Sequence, residues 1–299
     1  IPAWNCMFTG KNPGKIGVYG LLKFPFYKEE GLRIMNYSCQ DSPSLWDLLG
    51  KYGKKVGIVN VPTTYPPTKI NGFMISGGLT TPLYSNINYT YPPTLREKLE
   101  EIADGYEILP FTDLTIRGRE EEYIQRFKEN IAKQVKVVKY LMRENQWDFL
   151  TYVFFVTDSV QHYCWHHMDD THPWHKLAKA KYKDYIKRVY VMVDTAIGTL
   201  MEALPDDTDI LIVSDHGSQG LYGYFLVNEW LKDIGLLKLR SYYNFYQVLI
   251  PKIMALCKDF LFSCLNSQIV ESAVRWIPKS FTEKFLLREQ FRRQATSLI

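Results

Sequence analysis

Apolar positions recur along this chain in two rhythms. Short unbroken runs occur at 55–61 (KVGIVNV), 149–156 (FLTYVFFV) and 209–214 (DILIVS). Runs of this length, rich in β-branched and aromatic residues, predict strands covered on both faces, as in a parallel sheet. Pro62 ends the first run. Between the runs, Ile124, Phe127, Ile131, Val135, Val138 and Leu141 recur at steps of three and four, and so do Tyr182, Ile186, Val189, Val193, Ile197 and Leu200. Each set makes one apolar stripe on a helix. Strands alternating with such helices predict right-handed βαβ units in a doubly wound, mostly parallel α/β domain.

The rhythm changes after about residue 228. From 229 to 293 only helical patterns occur, broken by Gly235, Pro251 and Pro278. This predicts a core over 1–228, a helical insertion or cap over 229–293, and a return toward the core at 294–299. The longest apolar stretch, 242–265, contains Pro251, Lys252, Lys258 and Asp259, which makes it a poor membrane span. A buried helix is the preferred reading, with membrane-surface contact through 242–293 as the alternative. Arg275, Lys279, Lys284, Arg288, Arg292 and Arg293 outnumber Glu283 and Glu289 there. A solvated helix face is preferred over a site for anions.

Composition narrows the class. Apolar residues make up 46% of the chain, aromatics 15% and charged residues 23%, which excludes wholesale disorder, collagen and a disulfide miniprotein. The net charge of +4 is too small to argue for sequence-specific nucleic-acid binding. The five cysteines are odd in number and lack a Cys-x-x-Cys pair, which predicts reduced thiols and a cytoplasmic setting.

Two segments carry chemistry. Asp158 and His162 follow the second apolar run, and Asp215 and His216 follow the third. In open α/β sheets ligands bind beyond the carboxyl ends of strands. Aspartate and histidine together suit a borderline divalent cation such as zinc or manganese. Asp158 and His162 are one helical turn apart, so they can meet on one ion if the segment is helical. Asp215 and His216 are adjacent and can share an ion only in an irregular loop, which Gly217 permits. They can otherwise serve two neighbouring ions, and a pair of metals is the standard device for in-line displacement at phosphorus.

Longer strings extend the pattern: 1–20 (IPAWNCMFTGKNPGKIGVYG), 56–82 (VGIVNVPTTYPPTKINGFMISGGLTTP), 89–95 (YTYPPTL), 154–169 (FFVTDSVQHYCWHHMD) and 213–237 (VSDHGSQGLYGYFLVNEWLKDIGLL). In these the chain resembles the type I phosphodiesterase/nucleotide pyrophosphatase family of the alkaline phosphatase superfamily, especially its archaeal and bacterial predicted phosphohydrolases. The resemblance implies an alkaline phosphatase-like α/β fold with a helical insertion and a two-metal phosphodiesterase site. Asp158 and His162 would hold one ion, zinc or manganese, and Asp215 and His216 the other. The substrate would be a small phosphate ester or nucleotide. Alternatives are a phosphomonoesterase or phosphomutase of the same superfamily, or a non-catalytic binding protein that keeps the fold.

Several residues depart from the family pattern. By the resemblance, the threonine or serine nucleophile directly precedes Ile1, an aspartate lies further upstream, and a late histidine follows the last of the six histidines here, His216. The sequence therefore reads as an internal piece of a working enzyme rather than a pseudoenzyme, since its interior ligand positions are kept. Cys6 lacks the sulfatase surroundings, Thr9 reads as a packing or capping residue, and Ile16 stands where the family often has histidine. The cluster His166, His167, Asp169, Asp170, His172 and His175 invites a metal, but roles as plain loop groups or, for His166 and His172, on a substrate rim are preferred. Tyr65-Pro66-Pro67 and Tyr91-Pro92-Pro93 read as structural turns.

Overall fold

The computed structural model describes residues 1–23, 33–78, 87–109 and 120–237. The apolar stretch 242–265 and the basic segment 275–293 lie outside the described residues. The chain divides into two compact units, Ile1–Tyr222 and Gly223–Ile299.

The first unit opens with α1 (Pro2–Thr9) and α2 (Pro13–Ile16), then a small antiparallel pair, β1 (Leu22–Lys23) and β2 (Arg33–Ile34). Proline begins both helices, where its missing N–H costs no intrahelical bond, and left-handed glycines, Gly10 and Gly17, end them. The Thr9 hydroxyl donates to the Asn5 carbonyl at 2.7 Å and accepts from the Lys11 N–H at 3.3 Å, closing the end of α1. Ile16 is fully buried with Val18 and Met35, an apolar place at the position where the family often has histidine. Next comes α3 (Leu45–Lys51), started by a reciprocal capping box between Ser44 and Asp47.

The main sheet has four strands, β3 (Val56–Val61), β4 (Gly72–Ser76), β5 (Thr90–Tyr91) and, after two helices, β6 (Phe149–Tyr152). Their order is β5-β4-β3-β6. β3 runs parallel to both β4 and β6, with Ile58 opposite Met74 and Thr151, while β5 is antiparallel to β4. All six residues of β3 are buried, as its unbroken apolar run predicts for a central strand.

Helices cover both faces of this sheet. Val56, Ile58 and Val61 pack against Phe8 of α1 and Trp46 of α3. Val59, Phe73 and Ile75 pack against α4 (Leu95–Ala103) and α5 (Glu120–Glu144) through Leu99, Val137, Val138 and Leu141. A third cluster joins α5 to α6 (Val156–Met168) and α7 (Tyr185–Met201) through Phe127, Val160, Tyr185, Ile186 and Val189. The helical stripes at 124–141 and 182–200 are therefore the faces that build the core.

Two expectations are corrected. The run 149–156 is a strand only to Tyr152, and Val156 already begins α6. The run 209–214 forms no strand, and Ile210, Leu211, Ile212 and Val213 are 48%, 85%, 73% and 51% exposed. Apolarity makes a segment suitable for a sheet, but a ladder also needs a partner backbone. Among the described residues β6 pairs only with β3.

The second unit, as described, holds α8 (Val227–Asp233), with the Phe225 and Trp230 rings 5.6 Å apart. No helix among the described residues is long and apolar enough to cross a membrane.

Candidate active site

The helix α6 leaves the carboxyl end of β6 and places Asp158 in its first turn, where a carboxylate faces the positive end of the helix dipole. His162 stands one turn further on, and its Nε2 is 3.3 Å from Asp158 Oδ1. The helical segment that the four-residue spacing required is therefore present, and Val160 between them is fully buried on the opposite side. Both members of the pair are roughly half exposed.

Asp215 and His216 lie in a stretch without regular structure. Their side chains meet, with Nε2 3.3 Å from Asp215 Oδ2, as neighbours can in an irregular loop. His216 Nδ1 lies 2.9 Å from the Gly217 carbonyl oxygen. The ring thus sits between two acceptors, with Nδ1 toward the Gly217 carbonyl and Nε2 toward the Asp215 carboxylate. The Ser214 hydroxyl donates to the His216 carbonyl at 2.7 Å and braces the same turn.

The two pairs act on each other electrostatically. Burial opposes ionisation of Asp158, yet the hydrogen bond from His162 and the charges of His162 and His216 outweigh it and hold the carboxyl below its ordinary range. The His162 ring is shifted up from 6.5, first by its hydrogen bond to Asp158. Ile1 lies in the same region as Asp158 and Asp215. Its carbonyl accepts from the Asn5 side chain at 2.9 Å, and Asn5 Oδ1 in turn accepts from the Thr63 hydroxyl at 3.2 Å. Thr63 is buried with φ at +67°, an uncommon conformation for a β-branched residue, just past the end of β3.

Carboxylate oxygen and imidazole nitrogen are fitting donors for zinc or manganese. Among the described residues, however, no group of three or more His, Cys, Asp or Glu side chains is arranged to hold a metal ion. Each pair by itself is one short of the three protein ligands usual at a catalytic zinc.

The histidine-rich segment, which runs from the last turn of α6 to His175, divides. His166 and His172 have ring centroids 6.2 Å apart, and His172 lies 6.3 Å from Tyr222. His175 Nδ1 contacts the His166 carbonyl at 3.0 Å. His167 is a core residue, not a loop group: it is 3% exposed in the last turn of α6, beside Glu120 of α5 and the Tyr182 ring. Burial pushes its ring below 6.5. Asn5, Thr63 and Tyr222 were not legible as site residues, because each matters through a partner distant in sequence.

A mostly parallel sheet flanked by helices is the architecture of an alkaline phosphatase-like α/β protein. The sequence matches the Type I phosphodiesterase / nucleotide pyrophosphatase family over residues 1–261, and the chain belongs to that family. Membership makes it a phosphohydrolase of a family that typically depends on divalent metals and acts on small phosphate esters and nucleotides. Comparison with curated proteins gave no match, and neither did comparison with solved structures.

Proposed function

We propose that this chain carries the metal-ligand pairs of a phosphodiester-cleaving site, with Asp158 and His162 holding one divalent ion and Asp215 and His216 a second. The observation that carries this reading is that each Asp-His pair closes to 3.3 Å and that the charge of His216 acts on Asp158. Asp158 and His162 stand on the helix that leaves the carboxyl end of β6, where ligands of open α/β folds bind.

Two cations, when bound, supply charge neutralisation for the attacking and departing oxygens of an in-line displacement at phosphorus. The chain's own residues prepare for this. Asp158 is kept ionised by its neighbours. His162 must give up its proton to become a ligand, and its raised pKa sets the pH below which that step costs free energy. His216 turns Nε2 toward Asp215, the side on which the two could share an ion. The substrate would be a small phosphodiester or nucleotide.

The test is hydrolysis of a nitrophenyl phosphodiester with zinc or manganese, in a chain that carries a threonine or serine directly before Ile1. Asp158→Ala and Asp215→Ala should each abolish turnover. Near-normal rates in either variant would overturn the assignment.

A further inference from the structure

The loop that carries Asp215 and His216 has no helix or strand of its own to fix it. A side-chain network does so instead. Asp169 follows directly on α6, and both of its carboxylate oxygens are engaged. Oδ1 accepts from the Thr171 N–H at 3.0 Å and from the Thr171 hydroxyl at 2.7 Å. Oδ2 accepts from Trp165 Nε1 at 3.0 Å and from the Tyr222 hydroxyl at 3.4 Å. The Thr171 and Tyr222 hydroxyls are themselves 2.8 Å apart. One end of the network therefore belongs to the helix of Asp158 and His162, and the other lies a few residues beyond His216.

Gly220 sits inside the same network. A Cβ there would stand 2.9 Å from Asp169 Oδ2, 3.1 Å from Trp165 Nε1 and 3.4 Å from His172 Cδ2. Its φ lies outside the left-handed region, so the glycine is required by closeness of approach and not by backbone conformation. A side chain at position 220 would press on the Asp169 carboxylate and the Trp165 indole and push the loop away from them.

We propose that Asp169, with Trp165, Thr171 and Tyr222, forms a clamp of positioning residues that sets the separation of the two Asp-His pairs, and that Gly220 lets the loop close onto it. This rests on the reading of the pairs as metal ligands. Two ions must lie about 3.5–4 Å apart to clamp one phosphoryl group. A shift of about 1 Å in one pair is enough to lose most of that benefit. A loop with no ladder of its own needs an external constraint to hold such a spacing.

The test uses the full chain and zinc alone as the probe. Tyr222→Phe removes a single oxygen, Gly220→Val wedges the contact open, and Asp169→Ala removes the hub. Hydrogen exchange without metal should rise several-fold across 213–222 in all three, with the unfolding temperature of Tyr222→Phe unchanged. Zinc calorimetry should show the binding step that Asp215→Ala abolishes weakened about ten- to a hundred-fold, as for other residues that hold ligands in place. The step that Asp158→Ala abolishes should be unaltered. Unchanged exchange in Tyr222→Phe and Gly220→Val overturns the clamp directly. Equal weakening of both zinc steps in proportion to a lowered unfolding temperature overturns it as general destabilisation. Zinc steps that survive both Asp158→Ala and Asp215→Ala overturn it through its premise, and that result is distinguishable because exchange is read without metal.

Discussion

Asp158 and His162 hold each other across one turn of α6, with Nε2 and Oδ1 3.3 Å apart. The contact lowers the carboxyl and raises the imidazole, so it is strongest where the first is ionised and the second protonated. The carboxyl's share of the stabilisation is present above its ordinary 3.8 and is lost as pH falls through its lowered value. The imidazole's share is present below 6.5 and is lost as pH rises through its raised value. Both side chains are about half exposed, so solvent screening keeps the effect on global stability small. A site-resolved measurement is therefore the suitable one. NMR titration of the metal-free protein should place the His162 ring above 6.5, and Asp158→Asn should return it toward that value. An unchanged midpoint in the variant would show that the pair does not form.

Gly77 follows β4 at a point where backbone meets backbone. A Cβ at this position would stand 2.1 Å from the Val61 carbonyl oxygen and 2.4 Å from that of Asn60. Backbone atoms cannot swing aside as a side-chain tip can. Gly77→Ala should therefore cost about 1–3 kcal/mol, in the range of other overpacking substitutions. Urea unfolding should show a lower midpoint, and an unaltered midpoint would contradict the close approach.

Phe127 is 1% exposed in the cluster that fastens α6 to α5 and α7. Phe127→Ala should destabilise the protein by about 3–5 kcal/mol, combining lost apolar burial with the cavity left behind. Denaturant titration measures this directly. A loss under about 1 kcal/mol would mean that the cluster can collapse around the gap.

Much of the fold was legible because burial leaves a period in the sequence. The run at 56–61 became the fully buried central strand, and the stripes at 124–141 and 182–200 became the packed faces of α5 and α7. The four-residue spacing of Asp158 and His162 announced their shared helical face. The run at 209–214 shows where this reasoning ends, since apolarity says nothing of whether a neighbouring strand is there to pair. His167 shows a second limit: composition grouped it with the loop histidines, but its place in the last turn of α6 turns it into the core. The clamp of Asp169 and Tyr222 spans more than fifty residues and has no local signature at all. Gly220 is the one trace it leaves in the sequence, and it can be interpreted only once its neighbours are known.

The central claim is that two Asp-His pairs hold two ions. A zinc-edge anomalous difference map of zinc-soaked crystals tests it most directly. The account predicts one peak about 2.0–2.2 Å from an Asp158 oxygen and a His162 nitrogen, and a second at the same distances from Asp215 and His216. The two peaks should be about 3.5–4 Å apart. Peaks confined to His166, His172 and His175, with none at either Asp-His pair, would contradict it.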